Sequence, residues 1–477
     1  MEKKLIFLGG IASEITGSCY HLTITEGDKS TQILVDIGLI QGSFKESLEI
    51  NRAILKQINP SEINFIILTH SHMDHIGRLP LLVKHGFKGQ VLCTASTSKI
   101  LKPMLEDSAK IQLAEAAYLL KTMGKKIEPL YLSMDVEKVQ PLLKIVCRHG
   151  QWLKLGKNIH VKFYNSGHVM GGAIIVLRTK DGNENSFFCF TGDLGRRDGI
   201  ILPPPETVKE KVDYLIVEST YGGKVNPGRE EEITKLLELI RISHQKSKRV
   251  IIPSFALERT QEIIYLLSYH MQNGNIPKVP MYLDAPLGTK ITKIFAEAWG
   301  RGMFSDQAML DFNPFDEDQN PFLNIINESY ESDALIAKKG NYIVIAGSGM
   351  CDSGRVRGHL RAHLREEDTM VFLVGYMAKN SLGRLLKESR KVRMNKEEIF
   401  VRAEIVAFDS FSAHADGQFL LDYVQEMFQR EEDKQRRIFI VHGELESARA
   451  LQTELRLALK EKKVKVVIPE LNEKVEL

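Results

Sequence analysis

Leu68-Thr69-His70-Ser71-His72-Met73-Asp74-His75-Ile76-Gly77 places three histidines and an aspartate within six residues. The run before it, Ile63-Asn64-Phe65-Ile66-Ile67-Leu68-Thr69, is apolar and rich in β-branched side chains. It reads as a buried strand. His70 and His72 stand two apart, so near a strand end they can point the same way. Asp74 and His75 follow as the chain turns into the amphipathic run 78–85. Packing gives no reason to crowd ionisable groups at the end of a buried strand. Imidazole and carboxylate without thiolate suit zinc or a similar divalent ion.

The chain of 477 residues is long enough for two or three domains. Its hydrophobic fraction of 43% and charged fraction of 26% are those of an ordinary soluble globular protein. A net charge of +3 neither demands nor excludes a nucleic-acid partner, because a basic groove can sit on a balanced chain. Cys19, Cys93, Cys147, Cys189 and Cys351 are scattered and form no C-x-x-C. That argues for a reducing, cytoplasmic setting and against a thiolate metal site. The apolar run after Met1 is too short for a signal peptide and reads as a first strand. No stretch approaches the roughly twenty apolar residues of a membrane span.

The pattern at His70 recurs. Gln32-Ile33-Leu34-Val35 ends in Asp36-Ile37-Gly38. Val161-Lys162-Phe163-Tyr164 leads to Asn165-Ser166-Gly167-His168. Phe187-Phe188-Cys189-Phe190 leads to Thr191-Gly192-Asp193, and Leu215-Ile216-Val217 to Glu218. Repeated strand ends presenting His, Asp or Glu are hard to explain as core packing. A helix over 100–122 should end at Met123-Gly124, Gly being a good C-cap. From about 230 to 396, helices alternate with short apolar runs, which suggests a parallel sheet wrapped by helices as a second domain. The last part returns to β-rich sequence at 401–408, 438–441 and 464–468. It carries two more polar strand ends, at His414 and His442.

This ordered set resembles the metallo-β-lactamase superfamily, and within it the β-CASP nuclease branch. His70-x-His72-x-Asp74-His75 resembles the superfamily signature. Asp36, His168 and Asp193 follow its other motifs in order. Glu218, His414 and His442 match the three motifs of the β-CASP branch. Ile252-Pro253-Ser254-Phe255-Ala256 with Arg259-Thr260-Gln261-Glu262, Asp284-Ala285-Pro286-Leu287, Gly347-Ser348-Gly349-Met350 and Gly375-Tyr376 with Leu382-Gly383-Arg384 extend the likeness over essentially the whole chain. Leu257-Glu258 departs from the small Val-Gly common in the family, and the loop 223–229 lacks a His often found there. Unlike several relatives, the chain is expected to carry no added RNA-binding domain and no long C-terminal extension.

The resemblance implies an α/β fold: a metallo-β-lactamase αββα sandwich with an inserted α/β β-CASP domain. The expected division is 1–222, the inserted domain at 223–402, and the return at 403–477. It implies two Zn2+ per chain, or other divalent ions. His70, His72 and His168 would bind one, Asp74, His75 and His442 the other, and Asp193 both. Two ions about 3.5–4 Å apart can hold a shared hydroxide for in-line attack on phosphorus. His414 is the candidate general acid and Glu218 its orienting carboxylate. Asp36 is expected behind a ligand histidine. Ser348, Arg355, Arg259 and Arg384 are candidate phosphate contacts. His359 and His363, four apart on an Arg-rich helix, are open to a second metal site, a phosphate contact or a solvated basic face. So is the basic run 387–396 to a strand-guiding patch or plain surface. The expected function is hydrolysis of single-stranded RNA, endonucleolytic and open to a 5′-to-3′ mode. The alternatives are a DNase or small-molecule hydrolase of the same fold, and an inactive RNA-binding scaffold. No membrane partner is expected, and oligomeric state, a homodimer included, is left open.

Overall fold

The computed structural model describes residues 1–477 except 43, 144, 148, 226, 227, 306–309, 376, 379, 395, 396 and 430–433, and the backbone alone at 45 and 145–147. Contacts divide the chain into two compact units. One comprises Met1–Arg197, Pro204–Val225 and His414–Leu477; the other comprises Asp198–Pro203 and Asn226–Ala413.

The first unit holds two seven-stranded sheets. In spatial order, one runs Lys474–Glu476, Glu2–Ile11, Glu14–Glu26, Lys29–Val35, Phe65–Ile67, Gln90–Thr94 and Ile145–Cys147. The other runs Val464–Val467, Arg436–Val441, Tyr214–Glu218, Glu184–Phe190, Ala173–Asp181, Ile159–Asn165 and Leu153–Lys154. Alternation decides which face each side chain enters. Ile175 and Leu177 join Phe7, Ile33, Phe163 and Phe439 in the core between the sheets. Their neighbours Ile174 and Val176 point the other way, onto Leu420, Val424, Leu451 and Leu455. Those four belong to the helices Gly417–Met427 and Leu445–Ala458, which cover the second sheet. Each fully buried Ile, Leu or Phe here contributes about 1.5–3 kcal/mol. On the first sheet, the helix Ala95–Met123 packs beside Gln90–Thr94 and buries Ile100, Leu101 and Leu105. It stops at Gly124, whose φ of +63° is the left-handed cap expected of glycine. The result is the αββα sandwich.

Strand direction sets up the site. Ile159–Asn165, Glu184–Phe190, Tyr214–Glu218 and Arg436–Val441 all run the same way through their sheet. Lys29–Val35 and Phe65–Ile67 are parallel in theirs. Asp36, His168, Asp193, Glu218 and His442 each lie at or just beyond the C-terminal end of one of these strands.

The second unit holds a six-stranded parallel sheet, in the order Leu323–Ile325, Met281–Asp284, Ile343–Ala346, Arg249–Pro253, Thr369–Leu373 and Glu404–Ala407. The helix–strand alternation after Glu230 is this sheet. Glu404–Ala407, expected within the C-terminal return, instead pairs in parallel with Thr369–Leu373 at its edge. Among the described residues no helix is long and apolar enough to cross a membrane.

Candidate metal centre

Four ring nitrogens and carboxylate oxygens converge in one half of the site. His70 Nε2 lies 3.1 Å from His72 Nδ1, and His168 Nε2 lies 3.3 Å from the same atom. Asp193 Oδ2 is 3.5 Å from His70 Nε2 and 3.4 Å from His168 Nε2. In the other half, Asp193 Oδ1 is 3.3 Å from His75 Nε2 and 3.2 Å from His442 Nε2. Asp74 Oδ2 stands 4.0 Å from His442 Nε2. Asp193 thus offers one oxygen to each half.

The outward nitrogens of His70, His75 and His442 are already held. Asp36 sits at φ +60°, a conformation aspartate tolerates better than most residues. Its Oδ1 accepts from Thr69 N at 2.8 Å, and its Oδ2 accepts from Thr69 Oγ1 at 2.7 Å. Asp36 Oδ2 also faces His75 Nδ1 at 2.8 Å. Having spent its proton on Asp36, the Thr69 hydroxyl accepts from His70 Nδ1 at 3.1 Å. His442 Nδ1 donates to the carbonyl of Ile15 at 2.9 Å. Each of these bonds leaves Nε2 of His70, His75 and His442 to turn inward as a lone pair. Lone pairs facing lone pairs at these distances need positive charge between them, from protons or from a metal ion. Four ligands tetrahedrally bound at about 2.0–2.1 Å lie about 3.3 Å apart, which the first half matches. Buried His75 Nε2 and Asp193 Oδ1 have no hydrogen-bond partner among the described residues. The residues fit a divalent metal.

Electrostatics agree. Burial holds His70 and His168 well below the ordinary imidazole range, so both are neutral ligands. Burial also disfavours charge on His442, but the Asp193 carboxylate outweighs it and raises His442 to about 9. Burial likewise disfavours charge on His75, but Asp193 and Asp36 outweigh it and hold His75 well above the ordinary imidazole range. In the metal-free chain, protons hold the positive charge that a metal would supply.

Beside this centre, both oxygens of Glu218 accept from His414 Nδ1 at 3.2 Å. Leu194 N, at 2.6 Å, and Thr220 N, at 3.3 Å, donate to the same carboxylate. His414 Nε2 turns toward Asp193 Oδ2, 3.9 Å away. Burial lowers the His414 pKa, yet the charge and hydrogen bond of Glu218 prevail and the net shift is upward.

The structure therefore brings all seven expected metal ligands together, with Glu218, His414 and Asp36 around them. Sequence reading missed Thr69 and the backbone carbonyls that hold His442. Thr69 looked like the end of a strand, and a carbonyl carries no residue identity.

The candidate phosphate contacts lie in the second unit and are engaged there. The Arg259 guanidinium is buried, pairs with Glu262 and lies over the Phe411 ring. Arg355 Nη1 donates to Asp284 Oδ1 at 2.7 Å, and Nη2 donates to the Asn327 carbonyl at 2.9 Å. Arg384 Nε donates to Glu388 Oε1 at 2.5 Å, and Ser348 Oγ to the Ser353 carbonyl at 3.3 Å. His359 Nε2 pairs with Asp284 Oδ2 at 2.7 Å, and His363 Nδ1 lies 2.8 Å from Glu366 Oε2. Neither histidine joins a metal-ligating group among the described residues. In the basic run, Lys387 pairs with Asp409 and Lys391 with Glu398. Tyr376, Asn226 and Pro227 of the 223–229 loop, and Asn395 and Lys396 of the basic run, lie outside the described residues.

Three family models match in order: the metallo-beta-lactamase superfamily over residues 23–252, the Beta-Casp domain over 260–386, and a Zn-dependent metallo-hydrolase RNA specificity domain over 398–469. The ribonuclease TTHA0252 of Thermus thermophilus is 32% identical over 447 residues, covering 93% of this chain and 94% of its own. An RNase J-like protein of Methanocaldococcus jannaschii is 27% identical over 445 residues, 92% of either chain. The transcription termination factor FttA of Cenarchaeum symbiosum is 26% identical over 454 residues, 93% of this chain and 66% of its own.

Proposed function

The chain belongs to the β-CASP ribonuclease family of the metallo-β-lactamase superfamily, and from that premise we propose that it hydrolyses phosphodiester bonds in single-stranded RNA. The observation that carries this reading is the division of Asp193 between two ligand sets, with the Glu218–His414 pair alongside. His70, His72, His168 and Asp193 Oδ2 would hold one Zn2+; Asp74, His75, His442 and Asp193 Oδ1 would hold the other. Bound divalent ions supply Lewis-acid charge opposite the phosphate and a nucleophile at neutral pH.

The remaining work falls to the chain. Asp36, Thr69 and the Ile15 carbonyl keep the ligand lone pairs turned inward. Glu218 holds the Nδ1 proton of His414 and favours the charged ring. His414 Nε2 then gives its proton to the leaving 3′-oxygen, and the neutral ring keeps its Nδ1–H bond to Glu218. Attack by water rather than a 2′-hydroxyl leaves 5′-phosphate and 3′-hydroxyl ends.

End-labelled single-stranded RNA and DNA, incubated with the protein with and without chelator, test the reading. Chelator-sensitive cleavage of RNA is expected. Cleavage of DNA alone would replace the substrate class, and cleavage of neither would end the nuclease reading.

A further inference from the structure

His442 is the metal-facing residue contributed by the last segment of the chain, and a distant hairpin holds it. Its backbone N–H donates to the Gly10 carbonyl at 2.8 Å, and its Nδ1 to the Ile15 carbonyl at 2.9 Å. Both acceptors lie at the tip of the hairpin formed by Glu2–Ile11 and Glu14–Glu26. That tip is irregular: its register slips between Phe7 and Gly9 and again between Gly9 and Ile11. Bulges of this kind re-aim a strand end and recur beside active sites. The bend depends on close backbone approach. A Cβ on Gly9 would stand 2.2 Å from the Gly17 carbonyl oxygen, and one on Gly10 would stand 2.4 Å from Ser18 Oγ.

One side chain ties this tip to the signature loop. Arg78 is buried, and its Nη2 donates to the Gly17 carbonyl at 2.8 Å. The same Nη2 lies 3.5 Å from where a Gly9 Cβ would be, so the guanidinium sits against the Gly9–Gly17 contact. The Arg78 backbone donates to Ile37 O, and Ile37 N donates to His75 O, at 2.9 and 2.8 Å. Arg78 therefore connects the segment carrying His75 to the hairpin holding His442. Arginine is almost never fully buried without a specific partner. Here a partner is a backbone carbonyl whose position governs a ligand two residues of hairpin away.

We propose that Arg78 is a positioning residue for the Asp74–His75–His442 half of the centre, acting through the N-terminal hairpin. The His70–His72–His168 half makes no contact with that hairpin through these bonds. This rests on the two-ion reading above. Loss of the tether should weaken one ion by about 10–100-fold, the usual range for a partner behind a metal ligand, and leave the other unchanged.

Zinc chloride titrated into the chelator-stripped full-length chain, followed by calorimetry, tests this alongside the melting temperature of the metal-free protein. Wild type should bind two ions; fewer would refute the two-ion reading rather than the role of Arg78. Arg78→Gln should keep the first affinity and lose the second, and Arg78→Lys, one bond shorter but still a cationic donor toward the Gly17 carbonyl, should recover part of it. Gly10→Ala should reproduce the selective loss by moving the hairpin itself. Two wild-type affinities in Arg78→Gln would overturn the proposal, as would equal weakening of both. If Arg78→Gln does not fold, the Lys and Gly10 variants decide: a folded Lys variant lacking the second ion, or a Gly10→Ala protein with both affinities intact, would overturn it.

Discussion

Asp193 in the first unit and Asp284 in the second are both buried carboxylates faced by imidazole nitrogen. Both follow an apolar strand, and in sequence they look alike. Their surroundings are opposite. Asp284 receives Nε2–H of His359 at 2.7 Å, Oγ–H of Ser332 at 2.6 Å and Nη1–H of Arg355 at 2.7 Å. Burial would raise its pKa, but these donors win and hold it below the usual range. Asp193 meets the Nε2 atoms of His70, His75 and His442, whose Nδ1 sides are engaged elsewhere, and its Oδ1 makes no hydrogen bond among the described residues. A cluster with donors enough for its acceptors is complete as protein. A cluster with surplus lone pairs needs a cation. Residue type does not separate them; the count of donors does.

Substitution at the two positions should therefore diverge. Asp193→Asn removes charge from both halves, and we expect loss of bound zinc by elemental analysis and a fall in RNA cleavage of about a thousandfold or more. Asp284→Asn should leave zinc content untouched and lower stability by about 3–5 kcal/mol in urea unfolding, the scale for breaking a buried charged pair. Zinc loss in Asp284→Asn would break the contrast.

His414 lies between the extremes, because its Nδ1 is satisfied by Glu218 while its Nε2 points into the centre. His414→Ala should keep its zinc yet cleave about a hundredfold more slowly. Glu218 raises the His414 pKa, so activity requiring the charged ring is lost as pH rises through that raised value. In Glu218→Gln the alkaline limb of the rate profile should move to lower pH; an unmoved limb would remove the proposed acid.

Without metal, a proton on His442 is held up to about pH 9. Zinc must displace it, so affinity should weaken below that pH by about tenfold per unit for each proton displaced. Titrations at three pH values measure this. The smallest effect concerns Glu258, which occupies φ +70°, a conformation that favours glycine. Glu258→Gly relieves that strain at some entropic cost, and a gain of at most about 1 kcal/mol should appear in the urea midpoint.

The candidate ligands were readable because polar residues follow apolar strands at several places, and the first of these carries His70, His72, Asp74 and His75 together. His70 to His75 marked the chemistry, and Glu218, His414 and His442 marked the branch. What stayed hidden depends on partners distant in sequence. Nothing local distinguishes Leu283-Asp284 from a metal-binding strand end, because Ser332, Arg355 and His359 supply the donors. Arg259 and Arg355 pair with Glu262 and Asp284, and the Asp284 partner is one that no local pattern announces. Glu404–Ala407 was read with the wrong sheet because a parallel strand does not encode its neighbour.

The ligand order along the chain has a consequence for synthesis. Six of the seven ligands leave the ribosome before the parallel-sheet unit is made, and His442 emerges only after it. A growing chain carries the complete signature motif for most of its translation, yet it cannot finish the second half of the centre or present His414. A product truncated within the inserted unit would therefore bear the hallmark sequence at His70–His75 yet lack both His414 and His442.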